Sequence, residues 1–243
     1  MTDIGAQISA SLNALTREFD IVAHNMANVS TVGFKRRCNS FTKVLASQES
    51  SQDSGPEESE QTQGLFDFSQ GNLLPTGRTL DLALHGPGFF VIETPEGPVY
   101  TRHGVFQTNQ NGQIVDTTGR IVAGTAGPLI VPPETDVGDV YVTEDGRVLA
   151  GQAEIGKLRL VEFLNSQNQL VAVGQNCFQA PQDVTPTEAL NVVVKQGYQE
   201  ASNVRLVDEL VNMILVSRMY EANMKLVSVK KEASSAALGV AMG

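Results

Sequence analysis

Residues 8–29 read ISASLNALTREFDIVAHNMANV, and their large apolar members are Ile8, Leu12, Leu15, Phe19, Val22, Met26 and Val29. Steps that alternate between four and three place all seven on one side of an α-helix, because a turn holds 3.6 residues. Ile8, Leu15, Val22 and Val29 fall seven apart, as do Leu12, Phe19 and Met26, which makes the stripe a coiled-coil seam of about three heptads. The other face carries Ser11, Asn13, Thr16, Arg17, Glu18 and Asp20. After Val29, the residues Ser30, Thr31 and Gly33 supply the turn chemistry that ends a helix.

The far end of the chain repeats the pattern. Leu206, Met213, Tyr220 and Val227 are seven apart, and Leu210, Ser217 and Met224 interleave with them. Ser202 or Asn203 is placed to cap this helix, and Asp208 and Glu209 put negative charge near its positive dipole end. Val207, Val211, Ile214, Leu215 and Val216 widen the apolar surface beyond the seam, so this helix calls for more than one partner.

Between the helices the texture changes twice. Residues 47–63 hold Glu49, Asp53, Glu57, Glu58 and Glu60 with no basic residue, which predicts a flexible, solvated linker. From about Leu80 to Ala180, short runs of β-favouring residues are broken by Gly86-Pro87-Gly88, Glu96-Gly97, Asn111-Gly112, Thr118-Gly119 and Asp145-Gly146. Strands are expected near 89–93, 98–102, 113–116, 120–123, 140–143, 147–149, 157–164 and 169–173. The fold class is therefore read as α+β: long N- and C-terminal helices forming a coiled-coil-like pair, with an all-β antiparallel domain inserted between them. The expected boundaries are an N-terminal helix over 1–35, a connecting segment over 36–79, the β domain over 80–180, a return connector over 181–201 and a C-terminal helix over 202–243.

Composition limits the function. Against 17 basic residues stand 27 acidic ones, for a net charge of −10. Long-range attraction to nucleic acid or an anionic membrane is thereby disfavoured. No run approaches the ~20 apolar residues of a membrane span, and the first 30 residues lack the solid apolar block of a secretory signal. Cys38 and Cys177 are far from each other and from any His at ligand spacing, so two buried thiols are expected and no zinc site or disulfide framework.

No motif calls for catalysis, a cofactor or a metal. Gly86-Pro87-Gly88 lacks the Lys-Ser/Thr pair and helix start of a phosphate loop, and Asn109-Gln110-Asn111-Gly112 reads as a hairpin turn without the carboxylates of a calcium loop. His24, His85 and His103 have no sequence-local partner for nucleophile activation, and His24 is expected on the helix surface. Glu144 with Glu162 is one of many carboxylate pairs that an acidic chain offers, and nothing in the spacing promotes it.

A series of blocks in one order resembles the bacterial flagellar rod and hook proteins, the axial shaft of the flagellum. The first is Asn25-Met26-Ala27-Asn28-Val29-Ser30-Thr31 followed by Gly33-Phe34-Lys35. Gly71-Asn72-Leu73, Thr76-Gly77, Leu80-Asp81-Leu82-Ala83-Leu84 and Gly86 with Gly88-Phe89-Phe90-Val91 follow, then Tyr100-Thr101-Arg102 with Gly104 and Phe106. The last is Ser202-Asn203-Val204 with Glu209 to Ile214, Arg218 and Tyr220-Glu221-Ala222-Asn223. His24 and Met26 stand where the family usually has Asn and Leu. The short middle and the Gly127–Pro132 run look most like the proximal rod protein, and the C-terminal helix is closer to the distal one.

The resemblance implies a non-enzymatic structural subunit, without cofactor, whose partners are copies of itself, other rod and hook proteins and the flagellar export apparatus. It implies export without a cleaved signal, a place in the rod crossing the periplasm, and helical polymerisation into the shaft that transmits torque around the export channel. The expected assembly interface is Ile8, Leu12, Leu15, Phe19, Val22, Met26, Leu206, Leu210, Met213, Tyr220 and Met224, with Asn25, Asn28, Gly33 and Phe34 as the signature turn. A rival from another class is a wall-binding module that captures a ligand such as peptidoglycan and is dimerised by its helices.

Overall fold

A computed structural model describes residues 3–38, 65–164 and 166–241, with side chains described over 8–38, 65–164 and 166–232. The acidic linker expected over residues 47–63 lies outside the described residues. Two α-helices are present among them: α1 over Asp3–Ala27 and α2 over Leu206–Ala241. The described residues group into two compact units. One holds α1, Arg37–Cys38 and α2; the other holds Ser30–Arg36 and the chain from Leu65 to Asn203.

Within the helical unit α1 and α2 pack against each other. Leu15 and Val22 are buried, Ile8, Leu12 and Met26 are half-buried, and Phe19 remains 41% exposed. On α2 Glu209 and Val216 are buried, and Asn212, Met213, Ser217, Asn223 and Val227 are half-buried, again at helical spacing. Of the expected seam, Met213, Ser217 and Val227 are half-buried while Leu206, Leu210, Tyr220 and Met224 are exposed, so the seam and the covered line of α2 coincide only in part. Apolar residues surround this helix, and a heptad count therefore cannot choose which side meets a partner.

The β unit is built around a sheet in which Val171–Gly174, Cys177–Gln179, Val99–Thr101, Phe89–Glu93, Ile121–Gly124, Ile114–Asp116 and Phe106–Thr108 lie side by side in that order. Leu160–Glu162 pairs with Phe89–Glu93, and all these ladders are antiparallel. Phe90 and Ile92 enter one apolar cluster with Leu82, Phe106 and Val148, while Phe89 and Val91 enter another with Phe163 and Phe178. Both faces of this strand are covered, which is why it reads as an unbroken apolar run rather than an alternation. A second sheet joins Val140–Val142, Arg147–Ala150 and Ala153–Lys157.

The expected α+β arrangement needs correcting, because the β structure is not an insert confined to 80–180. Leu73–Pro75 pairs with Tyr198–Glu200, Leu82–His85 with Val193–Gln196, and Leu160–Glu162 with Thr187–Glu188. Phe66 and Phe68 pack their rings edge-on against Phe178 at 5.0 and 5.1 Å. Segments read as connectors thus supply both strands and core. Their strands are two to four residues long, too short to show a period. The single strand expected over 157–164 is likewise two, Ala153–Lys157 and Leu160–Glu162.

Candidate functional site

The end of α1 is finished by two asparagines. Asn28 donates its side-chain amide to the His24 carbonyl at 2.8 Å, satisfying an acceptor left open by the helix terminus. Asn25 is fully buried; its amide donates to the Arg37 carbonyl at 2.9 Å and its Oδ1 accepts from the Arg37 N–H at 2.8 Å. One side chain therefore binds a backbone unit as a neighbouring strand would. His24 is half-buried, and burial followed by the charge of Arg37 pushes its pKa below the usual histidine range.

In the β unit, Ser30–Arg36 forms a strap laid against the returning segment around Glu200–Asn203. The Gly33 N–H donates to the Glu200 carbonyl at 2.7 Å, the Asn176 amide to the Val32 carbonyl at 3.0 Å, and the Arg36 N–H to Asn203 Oδ1 at 2.8 Å. Gly33 has a φ of +68°, and a Cβ there would lie 2.5 Å from the Arg102 carbonyl carbon. Both facts require glycine. Phe34 is buried beside it.

A buried ion cluster fastens this strap. Glu200 accepts from Lys35 Nζ at 2.7 Å, the Gly71 N–H at 3.0 Å and Arg102 Nη1 at 3.3 Å. Lys35 also donates to the Ser69 carbonyl at 2.7 Å, and Arg102 donates to the Gly86 carbonyl at 2.7 Å while its guanidinium lies 5.5 Å from the Phe89 ring centre. Burial pushes the Lys35 ammonium down; Glu200 pulls it back in part, and Arg102 adds to the fall. Burial likewise lowers Arg102, again against the pull of Glu200.

Asn203 does not cap α2, which starts three residues later. Its amide donates to the Asp67 carbonyl at 2.8 Å while its Oδ1 holds the strap. Asp208 and Glu209 do lie in the first turn of α2. Lys35, Arg102 and Asn203 stood in the blocks that carry the family likeness, whereas Glu200 gave no signal in the sequence. Its role depends on Lys35, which is 165 residues away in the chain.

The remaining candidates stay apart. Glu144 pairs with Lys195 at the surface, and Glu162 is buried in the sheet. Cys177 is buried and Cys38 half-buried, so only one of the two expected burials is complete. Among the described residues no group of three or more His, Cys, Asp or Glu is placed to hold a metal ion, and no helix is long and apolar enough to cross a membrane.

Residues 195–240 match the family described as "Flagellar basal body rod FlgEFG protein C-terminal", and residues 83–150 match "Flagellar hook protein FlgE/F/G D1 domain". The flagellar basal-body rod protein FlgG of Buchnera aphidicola subsp. Schizaphis graminum is 35% identical over 91% of this chain and 93% of its own length. The chain belongs to the flagellar basal-body rod protein family. FlgG of Bacillus subtilis is 33% identical over 93% of each chain, and FlgF of Caulobacter vibrioides is 33% identical over 92% of this chain and 91% of its own. As a rod-family chain this protein is a structural subunit of the flagellar rod.

Proposed function

We propose that this rod subunit polymerises helically, through its paired terminal helices, with copies of itself and with other rod and hook proteins. The supporting observation is the exposed apolar coat of α2: Val207, Val211, Ile214, Leu215 and Met219 are all at least half exposed on a helix already packed against α1. Burying one such side chain fully contributes about 1.5–3 kcal/mol, so neighbours that cover the helix stabilise the assembly and the helix together. The interface is assigned to Ile8, Leu12, Leu15, Phe19, Val22 and Met26 on α1 with Leu206, Leu210, Met213, Tyr220 and Met224 on α2. Asn25, Asn28, Gly33 and Phe34 shape the turn that leads away from α1.

The shaft so formed crosses the periplasm, encloses the export channel and transmits torque, and the subunit reaches its tip through the flagellar export apparatus without a cleaved signal. Replacing Leu15 and Met213 together by Asp is expected to abolish incorporation into rods while the β unit stays folded; normal incorporation refutes the interface. Relatives named FlgG and FlgF match at like identity. The proximal placement is therefore tested by locating a tagged subunit along isolated basal bodies: a label at the distal end of the rod overturns it.

A further inference from the structure

Two cations share one carboxylate at the buried cluster, and the Nε of Arg102 has no hydrogen-bond partner among the described residues. Such a group adds little stability over apolar packing of the same volume, because desolvation offsets the attraction. What it can add is a choice among alternatives. Lys35 is followed directly by Arg36 and Arg37, so three consecutive side chains offer Glu200 a positive charge. Charge alone would not select among them. Two positions earlier, however, Gly33 turns at a φ of +68°, and a Cβ there would lie 2.5–2.6 Å from the Arg102–His103 backbone, so every other side chain of the strap would collide. A slip that offers Arg36 or Arg37 to Glu200 carries Phe34 or Lys35 into that space.

We propose that Gly33 and Lys35 form a two-point register lock, steric at one residue and ionic at the other, which fixes Ser30–Arg36 in a single position against the returning segment Glu200–Asn203. The outgoing and returning segments of the β unit are thereby fastened at one defined place. Removing the Lys35 charge strands nothing: Glu200 keeps Arg102 and the Gly71 N–H, and the Ser69 carbonyl keeps the Asn203 amide at 3.2 Å. The lock is therefore separable from stability.

The test is hydrogen exchange on the full chain, read by mass spectrometry over peptides covering 30–38, alongside a melting curve. Lys35→Met is expected to leave the melting midpoint within about 3 °C of wild type while exchange at Gly33 and Arg36 accelerates at least tenfold, with two exchanging populations. Lys35→Arg should keep the slow, single population. Gly33→Ala should give fast exchange in the strap although Lys35 is intact, because the lock needs both points. Wild-type exchange in Lys35→Met overturns the proposal. So does a fall in its midpoint of 10 °C or more, or a failure to fold, since either would make the Lys35 charge a stability element. None of these readings depends on rod assembly.

Discussion

Glu200→Gln is the most demanding perturbation of the β unit. The side chain is fully buried and is the counter-charge for Lys35 at 2.7 Å and Arg102 at 3.3 Å. The amide keeps the shape but removes the charge and turns an NH₂ toward one of the cations. Breaking a buried ion pair from one side costs about 3–5 kcal/mol. At about 2–4 °C per kcal/mol for a chain of this size, that corresponds to a melting midpoint lower by roughly 6–20 °C. Urea unfolding followed by far-UV circular dichroism at pH 7 gives the free energy directly. A loss under about 1 kcal/mol would refute the claim that the carboxylate neutralises the cluster.

The pH dependence provides an independent check. Lys35 is already lowered from 10.5 by burial, and losing Glu200 lowers it further. Between its folded pKa and 10.5 the folded chain binds fewer protons than the unfolded one, so stability rises with pH across that window. The deficit of Glu200→Gln should therefore be largest near neutral pH and narrow toward pH 10. A deficit that grows with pH would contradict the argument.

Four further outcomes follow from the same structure. Asn25→Leu removes both hydrogen bonds to Arg37 and should destabilise by about 1–3 kcal/mol in urea unfolding, with no measurable change if the amide is dispensable. Gly33→Val forces a β-branched residue to positive φ against the Arg102 backbone and should lower the melting midpoint beyond the 1–3 kcal/mol of backbone strain alone; a midpoint equal to wild type would show that the strap can move aside. Burial alone would raise the Asp116 carboxyl, but hydrogen bonds from Arg120 and Thr118 outweigh it and hold the pKa below 3.8. Its contribution is complete above that pH and lost on acidification through the folded value, so an acid titration of Asp116→Asn should show a shallower fall in stability below about pH 4 than wild type. Val211→Asp with Leu215→Asp, at exposed positions of α2, should leave subunit stability within about 0.5 kcal/mol while reducing incorporation into rods, and full incorporation would remove that face from the interface.

What the sequence determined by itself is whatever adjacent residues settle between them. The steps of three and four from Ile8 to Met26 make α1 a helix with a buried side, and Asn111-Gly112, Thr118-Gly119 and Asp145-Gly146 turn the chain, their glycines at φ of 74°, 84° and 84°. The tertiary structure alone decided which side of α2 is covered, because apolar residues on every side leave its phase open until a partner helix is placed. It alone made strands of Leu73–Pro75 and Tyr198–Glu200, whose three residues carry no period and whose pairing spans about half the chain. Glu200 belongs to the same class. A carboxylate beside ordinary neighbours announces nothing, and only folding brings Lys35 and Arg102 to it, out of water.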